Sequence, residues 1–269
     1  MRKRFLRFWP ACFLLLFAGC LPQPPAQEET AADQNLSRLL PLVQRYNVSI
    51  INPDDHRLYA YEKKVTVDPA SGEITIHDTG RDYDYTGRLD RGFRLLESDL
   101  RFKKAADIEK LGYDQRVTTY RADEAVMEFS VLTGGEILYT KEIAMEEQAY
   151  DLETFCFFVQ ALQNKGRNTF RGNVINMNNG QLIAVEMKPL GGRELQKLLA
   201  KKNLPARIRS LDEAGHYFYA MGVTGWSKIF FTYKFYLILE REAPHRIKAF
   251  WGDNPTNRVV QWFEALNGR

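Results

Sequence analysis

The chain has 269 residues, of which 45% are hydrophobic and 26% charged, with 37 Lys and Arg against 34 Asp and Glu. A net charge of +3 makes no case for a nucleic-acid partner, and three cysteines, Cys12, Cys20 and Cys156, are too few for a fold stapled by disulfides. The chain is long enough to pack a hydrophobic core of its own.

Arg2, Lys3, Arg4 and Arg7 make a basic start, followed by a mostly apolar stretch from Phe5 to Phe17 and by the small residues Ala18 and Gly19 ahead of Cys20. That order is the pattern of a secretion signal, and the apolar run falls short of the roughly 20 residues a membrane-spanning helix needs. Phe17-Ala18-Gly19-Cys20 resembles the lipobox of bacterial lipoproteins, with Phe17 where Leu is usual. The resemblance implies cleavage before Cys20 and a diacylglycerol thioether on its sulfur, a membrane attachment worth about 0.8 kcal/mol per buried methylene. Leu21, in place of an Asp after the cysteine, implies for a Gram-negative source the outer membrane, with the domain facing the periplasm. Without residues 1–19 the chain loses four basic and no acidic residues, leaving 33 against 34, a net charge of about −1. Cys156 is then left with no disulfide partner.

Leu21 to Gln34, rich in Pro and Gln and poor in large apolar residues, reads as a flexible tether. The expected organisation is therefore a signal at 1–19, a lipidated cysteine and tether at 20–35, and a single β-rich domain at 36–269. A helical turn within Leu36 to Tyr46 is limited by Pro41. Val65-Thr66-Val67 and Ile74-Thr75-Ile76 flank Asp68-Pro69-Ala70-Ser71-Gly72, the signature of a hairpin. Met127, Phe129 and Val131 alternate with polar residues up to a turn at Thr133-Gly134-Gly135, and Glu136 to Met145 returns. Leu152, Phe155, Cys156, Val159 and Leu162 form a helical stripe behind Asp151. Arg171 to Met177 and Gln181 to Met187 flank Asn178-Asn179-Gly180, a second hairpin. Gly192 to Lys202 predicts another helix. From Lys228 to Glu240 the odd positions are apolar or aromatic, predicting one strand of roughly 40 Å at about 3.3 Å per residue. The fold class is mainly β: a large curved antiparallel sheet, an open or half barrel, with about two short helices.

Tyr217 to Trp251 holds eleven aromatic residues. Two readings compete: a packed core, or the lining of a groove for an apolar or lipid-like ligand. The candidate lining residues are Tyr217, Tyr219, Trp226, Phe231, Tyr233, Phe235 and Trp251. Phe235-Tyr236 leading to Glu240, then Ala243-Pro244-His245-Arg246-Ile247 and Trp251-Gly252, resembles the tail of an uncharacterised bacterial envelope family catalogued as a domain of unknown function. An acidic-led helix such as Asp151 to Leu162 followed by paired strands is similar too. This resemblance implies an open, highly curved sheet, similar in outline to periplasmic lipoprotein carriers, and brings no catalytic residues.

No nucleophile elbow, zinc-protease, phosphate-loop or dinucleotide-binding motif occurs. His56, His77, His216 and His245 lack neighbours at metal spacing, so no metal, no cofactor and no enzymatic activity is expected. His245 and Arg246 are candidates for contact with an anionic head group. The functional expectation is an outer-membrane-anchored lipoprotein binding an amphiphilic ligand. The alternative is an assembly lipoprotein that binds another envelope protein.

Overall fold

The computed structural model describes residues 36–145, 149–176, 181–224, 234–252 and 260–266. The fold is mainly β. One half of the sheet is a meander of β1 (Val43–Ile51), β2 (Arg57–Val67), β3 (Ile74–Gly80), β4 (Tyr83–Leu89), β5 (Leu95–Phe102), β6 (Gln115–Arg121), β7 (Val126–Thr133) and β8 (Glu136–Ala144). The other half contains β9 (Ala149–Asp151), β10 (Phe170–Asn176), β11 (Gln181–Pro189), β12 (His216–Val223), β13 (Lys234–Glu240), β14 (Ile247–Gly252) and β15 (Val260–Ala265). Antiparallel pairing of β1 with β15 joins them into one sheet of fifteen strands, from β8 at one edge to β9 at the other. The edges do not pair with each other, but β9 comes back against β5, so the sheet curls without closing. Four helices are described: α1 (Ala105–Leu111), α2 (Leu152–Asn164), α3 (Gly192–Leu199) and α4 (Ala206–Arg209).

Most of the expected elements form where the sequence places them. In the β2–β3 hairpin, Asp68 Oδ1 accepts from the Ala70 and Ser71 amides at 2.7 and 3.1 Å. Those two bonds hold the Asp68 carboxyl below its ordinary pKa. Gly72 closes the turn at φ +76, a conformation that suits glycine. Three features differ from the reading above. The sheet is mixed, because β9 and β10 pair in parallel through the α2 crossover. Helices α1 and α4 carry too few periodic residues to read as helices. Of the strand expected from Lys228, only Lys234 onward is described, and the Asn178-Asn179-Gly180 turn also lies outside the described residues.

Helix α2 fills the inner face. From Thr154 to Leu162 every one of its residues is buried, as befits a helix apolar all round. Phe157 packs on the Tyr46 ring and Phe158 on Phe93, Tyr150 and Phe170. The one polar side chain of that buried stretch beside Thr154, Gln160, donates to Gln44 Oε1 at 3.1 Å and to the Pro244 carbonyl at 2.8 Å. The outer face of β12 to β15 is covered in turn: Phe218, Tyr236, Ile238, Trp251 and Trp262 pack with Leu195 and Leu198 of α3 and Ile208 of α4. Thus β13 is buried on both sides from Tyr236 to Leu239.

Truncation of Phe157 to Ala should cost about 3–5 kcal/mol, because the surrounding side chains cannot collapse into the hole. Ile137→Ser on the exposed β8 should stay within about 0.5 kcal/mol; equal shifts in denaturant midpoint for the two would refute the filling role of α2. Burial above all, and then the Cys156 thiol, push the Tyr46 phenol pKa well above its ordinary value. Its stabilising contribution is therefore complete below the ordinary phenol range near 10 and is lost as pH rises from there toward the folded value. Tyr46→Phe should move alkaline unfolding to higher pH, as read by circular dichroism.

Candidate functional site

Strand register places a row of side chains on the inner face. Tyr46 pairs with Lys63, Lys63 with Asp78, Asp78 with Tyr85, Tyr85 with Leu100, and Leu100 with Arg116. Directly opposed residues of antiparallel strands share a face, so three charged residues line up beside a row, Gln44 to Phe129, that is uncharged. Lys63 Nζ lies 2.8 Å from Asp78 Oδ2, with both side chains only 1% exposed. The same ammonium sits 5.8 Å from the Tyr61 ring centre and 5.9 Å from those of Tyr85 and Phe157. Arg116, 7% exposed, has its guanidinium 5.6 Å from the Phe102 ring centre.

The part of this row from Asp78 to Arg116 lines a cavity of about 420 Å³. Asp78, Tyr85, Leu100 and Arg116 form its base, and Tyr59, Tyr83, Phe102 and Gln261 its walls. Ile50, Asp82, Lys104 and Asp107 complete the lining, the last two at the start of α1, which contributes no buried residue. Gly87 keeps the base in shape: a Cβ there would meet the Tyr85 hydroxyl at 2.6 Å, so the phenol lies across the glycine. The volume lies within the usual range of small-molecule sites, roughly 300–1,000 Å³, and the lining mixes aromatic walls with charge. Among the described residues no group of three or more His, Cys, Asp or Glu could hold a metal.

The described residues among those anticipated from sequence lie elsewhere. Tyr219 and Phe235 face inward but are packed against Phe155, Met187, Met221 and Phe250, where the remaining space is about 10 Å³, room for one water molecule at most. The Tyr219 hydroxyl donates to Gln163 of α2, and burial raises its pKa. Trp251 is on the opposite face, stacked on Tyr236 at 5.0 Å. Tyr217 lies between Arg241, 4.4 Å from its ring centre, and the edge of His245. Trp226, Phe231 and Tyr233 lie outside the described residues. His245 and Arg246 are in the turn between β13 and β14; the neighbouring Pro244 carbonyl meets Gln160, a partner of Gln44 near the start of β1. The cavity is at the other end of β1, beside Ile50, so the structure does not bring that turn to it. Cys156 is buried and in no disulfide. The sequence did carry a signal for the cavity: Lys63 follows Tyr61 and precedes Val65 at strand spacing, and Asp78 follows Ile74 and Ile76, each a charge on an otherwise inward apolar face.

No family model matches the chain, and no curated protein matches it. Among solved structures it is similar to a β-barrel-like protein of a domain of unknown function from Brucella abortus, at 7% identity and a TM-score of 0.43, over 83% of this chain and 96% of that one. At that score the likeness adds nothing to the fold, which stands on the register and packing above.

Breaking the buried ion pair should be costly and removing it whole should not. Asp78→Ala alone removes the carboxylate from a buried ammonium and is expected to lose about 3–5 kcal/mol, whereas Lys63→Met with Asp78→Leu should unfold within about 1–2 kcal/mol of the parent or above it. Additive single and double effects in urea unfolding would show that the two charges are not coupled.

Proposed function

We propose that the chain is a bacterial envelope lipoprotein whose β-domain binds a small amphiphilic molecule in the cavity above Lys63, Asp78 and Arg116. The observation that carries the binding reading is the cavity itself: about 420 Å³, walled by Tyr59, Tyr83 and Phe102 and floored by buried charge. Aromatic walls suit the apolar body of a ligand and a few converging polar groups fix its orientation. The lipoprotein part rests on the order of residues 1–20, with Cys20 as the lipidated residue and, for a Gram-negative source, anchorage in the outer membrane facing the periplasm. No helix among the described residues is long and apolar enough to cross a membrane, so on this reading the membrane is reached through the lipid. His245 and Arg246 keep a separate place as a head-group contact at the far end of the sheet.

One observation favours a second reading, that of an assembly partner. Ile137, Leu138 and Tyr139 on β8 are 63%, 52% and 46% exposed, so both sides of this edge strand are bare. Such an edge is where an envelope protein would add a strand.

The test is native mass spectrometry of the full chain purified from membranes of a bacterial host. An acylated Cys20 at the N-terminus is expected, and Cys20→Ser should move the protein out of the membrane fraction. A small adduct should remain on the protein and be lost in Leu100→Trp, which fills the base of the cavity. An adduct that persists in a folded Leu100→Trp protein would refute the site. Full activity in an envelope assay for Leu100→Trp, together with loss in Leu138→Pro, would favour the second reading.

A further inference from the structure

Glycine weakens a strand, because it loses more conformational freedom on folding than other residues and packs no side chain. β4 nevertheless carries Gly87 on its inner face, between the buried Ile76 and Ser98 of the neighbouring strands. The backbone there is not left-handed, so the conformation does not require glycine. What requires it is Tyr85, two residues back on the same face. A Cβ on Gly87 would stand 2.6 Å from the Tyr85 hydroxyl and 3.0 Å from two carbons of its ring. The ring therefore leans along the strand across the glycine. Its own row forms the base of the cavity, with Asp78 on one side of Tyr85 and Leu100 on the other.

From this packing we infer that Gly87 sets the depth of the cavity, and with it the length of apolar body the cavity accepts, by letting the Tyr85 ring lie across it. The inference rests on the binding reading above and specifies the size of the ligand. A side chain at position 87 would leave the ring one place to go. Ile76 and Ser98 occupy the positions on either side of the glycine, and protein interiors are packed too closely to absorb a displaced ring. Toward β2, the Lys63 ammonium, 5.9 Å from the ring centre, and its partner Asp78 take up the space. The remaining volume is the cavity of about 420 Å³, which Tyr85 already lines. A ring turned into it would shorten the cavity from the base and leave the walls at Tyr59 and Phe102 in place. Gly87 is thus a specificity-determining residue that acts through Tyr85, and the limit it sets is one of length, independent of the charge of the head group.

Equilibrium dialysis of the full chain, held in amphipol with empty amphipol as the blank, measures this with neutral straight-chain alcohols from 1-hexanol to 1-dodecanol. Affinity for the parent should rise along the series up to a longest accepted chain. Gly87→Ala should move that limit to a shorter chain and weaken the parent's longest chain about tenfold or more, the scale on which a pocket discriminates methylenes, while leaving the shortest alcohol unchanged. Tyr85→Ala should move the limit to a longer chain. Tyr85→Ala with Gly87→Ala should match Tyr85→Ala alone, because no ring is left to displace. Thermal unfolding establishes which variants are folded; should Gly87→Ala not fold, the limit in Tyr85→Ala decides. An unchanged limit in folded Gly87→Ala or in Tyr85→Ala would overturn the inference while leaving the cavity reading in place, and so would a shortened limit in the double variant. If no alcohol binds the parent, or if all bind Leu100→Trp as well as the parent, the cavity reading falls and the inference with it.

Discussion

A sheet that curls without closing leaves its concave face to be filled by something else, and here α2 does that filling. The helix enters from β9 at one edge and exits into β10, so the connection that makes the sheet mixed also delivers the plug. Its Phe155, Phe157 and Phe158 reach in different directions, to Phe170, Tyr46 and Phe93, which is why its apolar residues do not keep to one stripe. Gln160 and Asn164 face the end where residues 36–46 meet the β13–β14 turn, and they accept or donate there through Gln44, Leu39 and Pro244. A polar residue inside a buried helix is tolerable only with such partners. The plug covers the inner face of the strands after residue 149 and the near parts of β1 and β2. The inner face beyond Lys63 is left for the cavity.

The boundary between plug and cavity is the Lys63–Asp78 pair. On one side lies the Phe157 ring, and on the other Asp78 contributes to the cavity base. A buried ion pair of this kind gives little net stability compared with well-packed apolar residues, because desolvation offsets most of the attraction. Its placement in the same register row as Arg116 ties it to the cavity more closely than to the core. The neighbouring row, Gln44, Val65, Ile76, Gly87, Ser98, Thr118 and Phe129, carries no charge, and its glycine makes room for the Tyr85 ring. From β1 to β7, the charge on these two rows thus lies in the one that lines the cavity.

Much of the architecture was legible from alternation and turn chemistry. The Asp68 to Gly72 turn, the Gly134-Gly135 turn and the helix after Asp151 are local features, and local features survive into the fold. The curvature was expected from the length of the strand read from Lys228 to Glu240 and from the resemblance of the C-terminal tail, while period-2 patterning fixes which face a side chain takes but not where the sheet ends. Of the candidate lining, Tyr219, Phe235 and Trp251 are packed away from any cavity for a physical reason. Aromatic density between Tyr217 and Trp251 reports buried area, and in this fold both faces of β12 to β15 are covered, by α2 on one side and α3 with α4 on the other. Dense aromatics therefore mark the filled half. The cavity draws its aromatics from three strands, Tyr59 from β2, Tyr83 and Tyr85 from β4 and Phe102 from β5, and no window of sequence shows all four as a cluster.

Charge on an inward strand position is the more informative signal in such a sheet. Along β2 the inward residues Tyr61, Val65 and Val67 fix the face, so Lys63 between them must be buried whatever the strand's neighbours are. Along β3, Ile74 and Ile76 place Asp78 inward in the same way. Neither strand alone says that the two charges meet, but a tight hairpin does: with Val67 opposite Ile74, antiparallel counting brings Lys63 opposite Asp78. The β5–β6 register brings Arg116 opposite Leu100, and that pairing depends on α1 and its flanking residues, whose length a sequence pattern does not specify. The ion pair is hence derivable from one hairpin, while its alignment in one row with Arg116 is a property of the folded sheet.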